Sequence, residues 1–157
     1  MIIASIVLAV LFVGTATALK KQIPESVSAM VYAFPFKWLW TIWLWAVTIL
    51  ITPSLLDAMP EDWKFLGFLT IGCLMFVGAM PLIPTESNKA HNILGVTAGI
   101  LSQLCVLLIN PQWLLLWAVW AVVFVIKTLD KSLDEWRWSV FLSECVCYIT
   151  LVCILIV

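Results

Sequence analysis

The sequence predicts an all-α integral membrane bundle of six transmembrane helices, with a short interfacial helix after the first. Three observations carry this. The 157-residue chain is 64% hydrophobic and only 11% charged, less than half the share of roughly 25% usual in soluble domains. Its charges gather in short connections between long uncharged stretches. Its lysines and arginines fall almost entirely on alternate connections, as a fixed membrane orientation demands.

A spanning helix needs about 20 apolar residues, because the hydrocarbon layer is about 30 Å thick. The first expected span covers 2–19, which carries no charge. Ala16-Thr17-Ala18 imitates a signal-peptide cleavage pattern, but no basic residue precedes the apolar run. The stretch is therefore read as a helix of the bundle. Spans at 38–56 and 65–83 follow on the same grounds. From Ala90 to Ile126 there is no Asp, Glu, Lys or Arg. That run is too long for one crossing, and Asn110-Pro111-Gln112 breaks it. Asn-Pro is a turn signal, and proline discourages helix in the residue before it. Two spans, 91–109 and 113–129, joined by a tight hairpin are expected. The sixth covers 138–157.

Between the first two spans, Ile23, Val27, Met30, Val31 and Phe34 recur at helical spacing, with Pro24 suited to a first turn. This predicts an amphipathic helix over 24–35, lying in the interface or docked under the bundle. In the second connection Pro81 and Pro84 stop the third span, and Thr85 is placed to cap the fourth. In the third, Lys127, Asp130, Lys131, Asp134, Glu135 and Arg137 alternate in sign and read as a locally paired, solvated face.

Six crossings put Lys20, Lys21, Lys37, Lys89, Lys127, Lys131 and Arg137 on one side, and Lys64 alone on the other. The basic side is expected to be cytoplasmic, with both termini outside. Tryptophan is abundant, with ten residues. Trp38, Trp63, Trp113, Trp136 and Trp138 fall at span ends, where an amphipathic indole prefers the headgroup zone. Trp113, Trp117 and Trp120 form a stripe on the fifth helix. Such a stripe packs on lipid or on a neighbouring helix, stacks on a flat ligand, or lines a pore.

Composition also excludes. A net charge of −1 leaves no basic footprint for nucleic acid. One histidine excludes a bis-His haem or a three-His zinc site built from this chain alone. The five cysteines lie in apolar stretches with no CxxC pair, so they read as free thiols, with no disulfide framework and no metal. No cofactor is expected. No HExxH, GxSxG or P-loop pattern is present.

Two features stand out against this apolar background. Glu144 is the single charge between Trp138 and Val157, and a carboxylate within hydrocarbon is expensive. It lies about 10 Å deeper than Arg137 along the helix, in the inner half of the membrane, on a face shared with Tyr148. The second feature is an ordered face on the fourth helix. His91, Gly95 and Gly99 follow at four-residue steps, and Ser102 and Gln103 continue the face. Gly95-x-x-x-Gly99 allows close helix approach, within the bundle or between copies.

Candidate ligand or ion contacts are Glu144, His91, Tyr148, Asn92 and Gln103, with Ser87 near them. Candidate packing or oligomer contacts are Gly95, Gly99, Trp113, Trp117 and Trp120. If the fourth and sixth helices touch, Glu144 and His91 would meet in an inner vestibule. The bland alternative is a buried acid satisfied by His91, Arg137 or Tyr148. Three functions compete: an oligomeric channel or transporter for an ion or small solute; a non-catalytic membrane subunit that binds lipid or a partner protein; and an enzyme acting on a lipid headgroup at the inner interface. The expected partners are the bilayer and either further copies of the chain or a membrane complex.

Overall fold

A computed structural model of the chain describes residues 1–83, 88–129 and 137–156, without the side chains at 88, 127, 128, 137 and 138. The expected cap at Thr85, Ser87 beside the site, and the charged run from Asp130 to Glu135 lie outside the described residues.

Every regular element among the described residues is helical. The α-helices are α1 (Ile2–Lys20), α2 (Trp38–Ala58), α3 (Lys64–Ala79), α4 (Asn88–Ile109), α5 (Leu116–Leu129) and α6 (Arg137–Ile156). Short 3-10 helices at Ser28–Ala33, Glu61–Trp63, Met80–Leu82 and Pro111–Leu115 link them. Five segments are long and apolar enough to cross a membrane: Ile2–Lys20, Trp38–Ala58, Glu61–Leu82, Lys89–Ile109 and Ser139–Ile156. Pro111–Ile126 is a shorter apolar stretch. Helices that are apolar on every side suit a lipid surround. The outward residues agree, with Ile3, Val10, Ile93 and Leu129 all more than half exposed. The architecture is consistent with a multi-pass membrane protein.

Consecutive helices α1 to α4 pack side by side, and α6 returns to touch α1, α2, α4 and α5. α4 and α6 are therefore neighbours, which the sequence left open. Apolar attraction between helices is weak in lipid, so small residues and polar links matter more. Gly78 on α3 lies directly under Trp45 of α2; a methyl group added there would sit 2.9 Å from the indole. Thr41 donates to the Gly78 carbonyl at 2.7 Å, and Trp45 Nε1 to the Met75 carbonyl at 2.9 Å. Gly67 makes a similar close approach to Leu56.

The buried residues form two clusters along α2. One joins Ala9 and Ala16 of α1, Met30 and Val31, and Trp40, Trp43 and Val47. Phe12 stacks on Trp43 there at 4.2 Å. The other joins Ile51, Leu55 and Met59 to Cys105 and Val106 of α4 and to Leu151 and Ile154 of α6.

α1 ends at Lys20, and the left-handed φ of 54° at Lys21 turns the chain across the end of the bundle. Residues 21–37 form a strap there. The expected α-helix over 24–35 is instead a six-residue 3-10 helix, Ser28–Ala33. Ser26 explains part of the difference. Its Oγ accepts from the Ala29 N–H at 3.0 Å and lies 2.9 Å from Ser28 Oγ, a local bond that competes with regular helix. Pro35 limits the other end. Met30 and Val31, the apolar residues read from the sequence, are buried against α1 and α2. At the opposite end, α4 stops at Ile109. Asn110 is extended, and its side chain accepts from the Gln112 N–H at 3.2 Å, opening the next 3-10 helix.

Candidate functional site

Glu144 lies on the part of α6 that faces the strap. Its Oε2 accepts from the Val27 backbone N–H at 2.5 Å. The partner is neither of the described side chains suggested by the sequence. Tyr148 is engaged elsewhere, with its hydroxyl 2.7 Å from Ser5 Oγ, tying α6 to α1. The Arg137 side chain lies outside the described residues. A backbone N–H at the start of a 3-10 helix lacks an internal acceptor, so the carboxylate satisfies a donor that the strap leaves open.

His91 reaches the same strap from the first turns of α4. It lines a cavity of about 210 Å³ with Ser26, Ser28, Tyr32 and Lys37. Ala29, Val31 and Pro81 form its apolar parts. His91 Nδ1 is buried and has no hydrogen-bond partner among the described residues. Buried side-chain nitrogens are nearly always paired, so this atom requires explanation. Glu144 is not among the lining residues; it holds the strap while His91 faces the cavity. The two residues therefore converge on one segment, and the expected direct pairing between them is not seen. Asn92, next to His91, is exposed.

Gln103 lies deeper and is fully used. Its Oε1 accepts from Trp117 Nε1 at 2.8 Å and from Thr150 Oγ1 at 3.0 Å. Its Nε2 donates to Ser102 Oγ at 3.1 Å and to the Cys147 carbonyl at 3.4 Å. One amide thus joins α4, α5 and α6. These bonds fit a structural junction better than a ligand contact.

The residues of the aromatic stripe make contacts within the chain. Trp113 packs on the Leu55 cluster. Trp117 and Trp120 meet edge to face at 5.8 Å, and Trp120 stacks on Phe124 at 5.1 Å. Gly99 faces α6, where an added methyl would lie 3.7 Å from Cys147 Sγ, whereas Gly95 faces open space. The Gly95-x-x-x-Gly99 pair is therefore not a single close-packing face within the chain. All five cysteines are free.

The sequence did not mark Ser26, Ser28, Tyr32 or Lys37 as site residues. The available signal was the stretch 26–37, which places Ser26, Ser28, Tyr32 and Lys37 beside a span boundary. Comparison with protein-family models, curated proteins and solved structures returned no match for this chain.

Proposed function

We propose that this chain is a six-pass membrane protein that admits an ion or small polar solute through a vestibule at its strap end. The observation that carries the reading is the cavity beside His91, whose Nδ1 has no partner among the described residues. In an apolar bundle, a polar recess with free hydrogen-bonding capacity suits a ligand or its water.

The sixth crossing is supported by length. α5 rises about 21 Å over its 14 residues at 1.5 Å each. The 3-10 helix Pro111–Leu115 adds about 10 Å, enough together for a hydrocarbon layer. Lys20, Lys21, Lys37 and Lys89 gather at the strap end, while Lys64 is paired with Glu61 at 2.6 Å. By the positive-inside rule the strap end is cytoplasmic, both termini are outside, and the strap lies at the inner interface. A homo-oligomer is supported by α4, which presents Gly95 beside the exposed Ile93, Val96 and Ile100.

The bond from Val27 to Glu144 favours a second reading, in which Glu144 is only a latch and the chain is a non-catalytic subunit. Glu144→Gln separates the two, because an amide oxygen can still accept from Val27 while the charge is gone. Flux of protons, sodium, chloride and phosphate is measured in proteoliposomes. Transport through the Glu144 charge predicts that Glu144→Gln abolishes flux in a folded protein. Equal flux in both proteins leaves Glu144 with the latch role alone. No flux of any solute in wild type would overturn the transport reading.

A further inference from the structure

We infer that the cavity at the strap end is a binding site for a phosphate-class anion, a ligand identity that rests on the vestibule reading above. The argument begins with the lining. Lys37 supplies an ammonium group, and His91 an imidazole whose Nδ1 has no partner among the described residues. Ser26, Ser28 and Tyr32 supply three hydroxyls. No Asp or Glu is among the described lining residues. Glu25, next to Ser26 in sequence, is exposed, and Glu144 is committed to the strap backbone. A lining of hydroxyls, an imidazole and one ammonium group, with no carboxylate among its described residues, favours negative charge. A phosphate offers several strong acceptor oxygens for such donors.

Size agrees with this. A volume of about 210 Å³ equals roughly seven waters at their liquid share of about 30 Å³ each. That accommodates a phosphate group with some hydration, but falls short of the roughly 300 Å³ at which pockets for drug-sized ligands begin. The shape of the strap serves the site as well. The Ser26–Ser28 pair and the Ala29 N–H to Ser26 bond fix both serine hydroxyls on one short turn. Glu144 pins that turn through Val27, adjacent to both serines. The carboxylate thus acts on the anion site as a positioning residue, through the strap.

The phosphate can come from free solute or from the headgroup of a lipid. Exposed Tyr32, Phe36 and Trp38 border the cavity lysine in sequence, as expected at a headgroup level. The test therefore has two probes. Purified full-length protein in phosphatidylcholine nanodiscs is titrated with inorganic phosphate by calorimetry. A second set of nanodiscs carries phosphatidic acid, whose contact is read by the phosphorus resonance of the headgroup. Lys37→Gln and His91→Gln are compared with Lys37→Arg in both.

Saturable binding of either probe that weakens at least about tenfold in Lys37→Gln and in His91→Gln, and survives in Lys37→Arg, supports the site. Free phosphate alone indicates a solute, and phosphatidic acid alone indicates a lipid. No saturable binding of either probe, or equal binding by wild type and both Gln variants, overturns the inference. Ser28→Cys, labelled with a small water-soluble thiol reagent above the wild-type background, reports the vestibule independently. Labelling without phosphate binding leaves an open vestibule but no anion site. Phosphate binding that depends on Lys37 and His91 without labelling keeps the anion site and removes the open vestibule. Folding of each variant is checked by tryptophan emission and gel filtration.

Discussion

The two ends of the bundle solve the same packing problem differently. At the hairpin end, Ile51, Leu55, Cys105, Val106 and Leu151 fill the space between α2, α4 and α6 with small or branched apolar groups. At the strap end the filling is aromatic, with Phe12, Phe34, Trp40 and Trp43 in mutual contact. The strap end also needs a chain segment to cover it. Among the described residues, the buried side-chain polar atoms without a partner are Trp40 Nε1 and His91 Nδ1, and both lie toward this end. The hairpin end is built for closure. The strap end keeps a cavity and unused hydrogen-bonding capacity, which is where function is expected.

This contrast can be broken most forcefully at Leu55, which has 0% exposure. Leu55→Ala is expected to cost about 2–5 kcal/mol of global stability, by lost contacts and a residual cavity. Met30→Ala deletes a comparable buried side chain under the strap, and should instead loosen residues 25–33 while leaving the bundle folded. Thermal unfolding monitored by tryptophan fluorescence reads the first effect, and amide hydrogen exchange reads the second. Equal global losses from both would show that the strap and bundle form one cooperative unit.

A smaller effect is expected at the glycines. Gly78→Ala forces a methyl against the Trp45 ring and should cost about 1–3 kcal/mol. Gly95→Ala faces open space and should stay within about 0.5 kcal/mol for a single copy. Unfolding midpoints in detergent compare the two. A large loss at Gly95, together with a change in oligomer size, would place the α4 face between copies.

At the latch the expected change is local. Glu144→Leu removes the acceptor for the Val27 N–H and should speed its exchange by roughly tenfold, in line with a charged hydrogen bond. Glu144→Gln should keep most of the protection. If neither variant alters Val27, the latch is not what holds the strap.

The helical architecture was legible because charge is so costly in hydrocarbon that uncharged stretches outline apolar helices. The Asn110-Pro111 break was equally legible, since proline acts on local backbone geometry whatever surrounds it. The strap was legible only in part. The period of Met30, Val31 and their neighbours marks an apolar face, but it does not separate 3-10 from α over so few residues, and it carries no trace of the serine bonds that decide. Glu144 stood out as an anomaly, yet its partner did not. A backbone N–H 117 positions away in sequence has no side-chain signature. The cavity was hidden for a similar reason: it draws on the strap, the 3-10 helix Met80–Leu82 and the start of α4. The Gly95-x-x-x-Gly99 pattern drew attention that the close approach at Gly78 deserved, because a lone glycine beneath a tryptophan forms no motif.

Gln103 has a consequence for the order in which the chain assembles. α4 and α5 are synthesised before α6, so a nascent bundle holds the Gln103 amide with Trp117 but without Thr150 or the Cys147 carbonyl. An incompletely paired amide in an apolar surround costs free energy that water cannot offset. The arrival of α6 completes the junction and removes that cost. Docking of the last helix is therefore expected to depend on correct docking of the two before it, and a chain cut short before α6 is expected to leave the Gln103 amide incompletely paired.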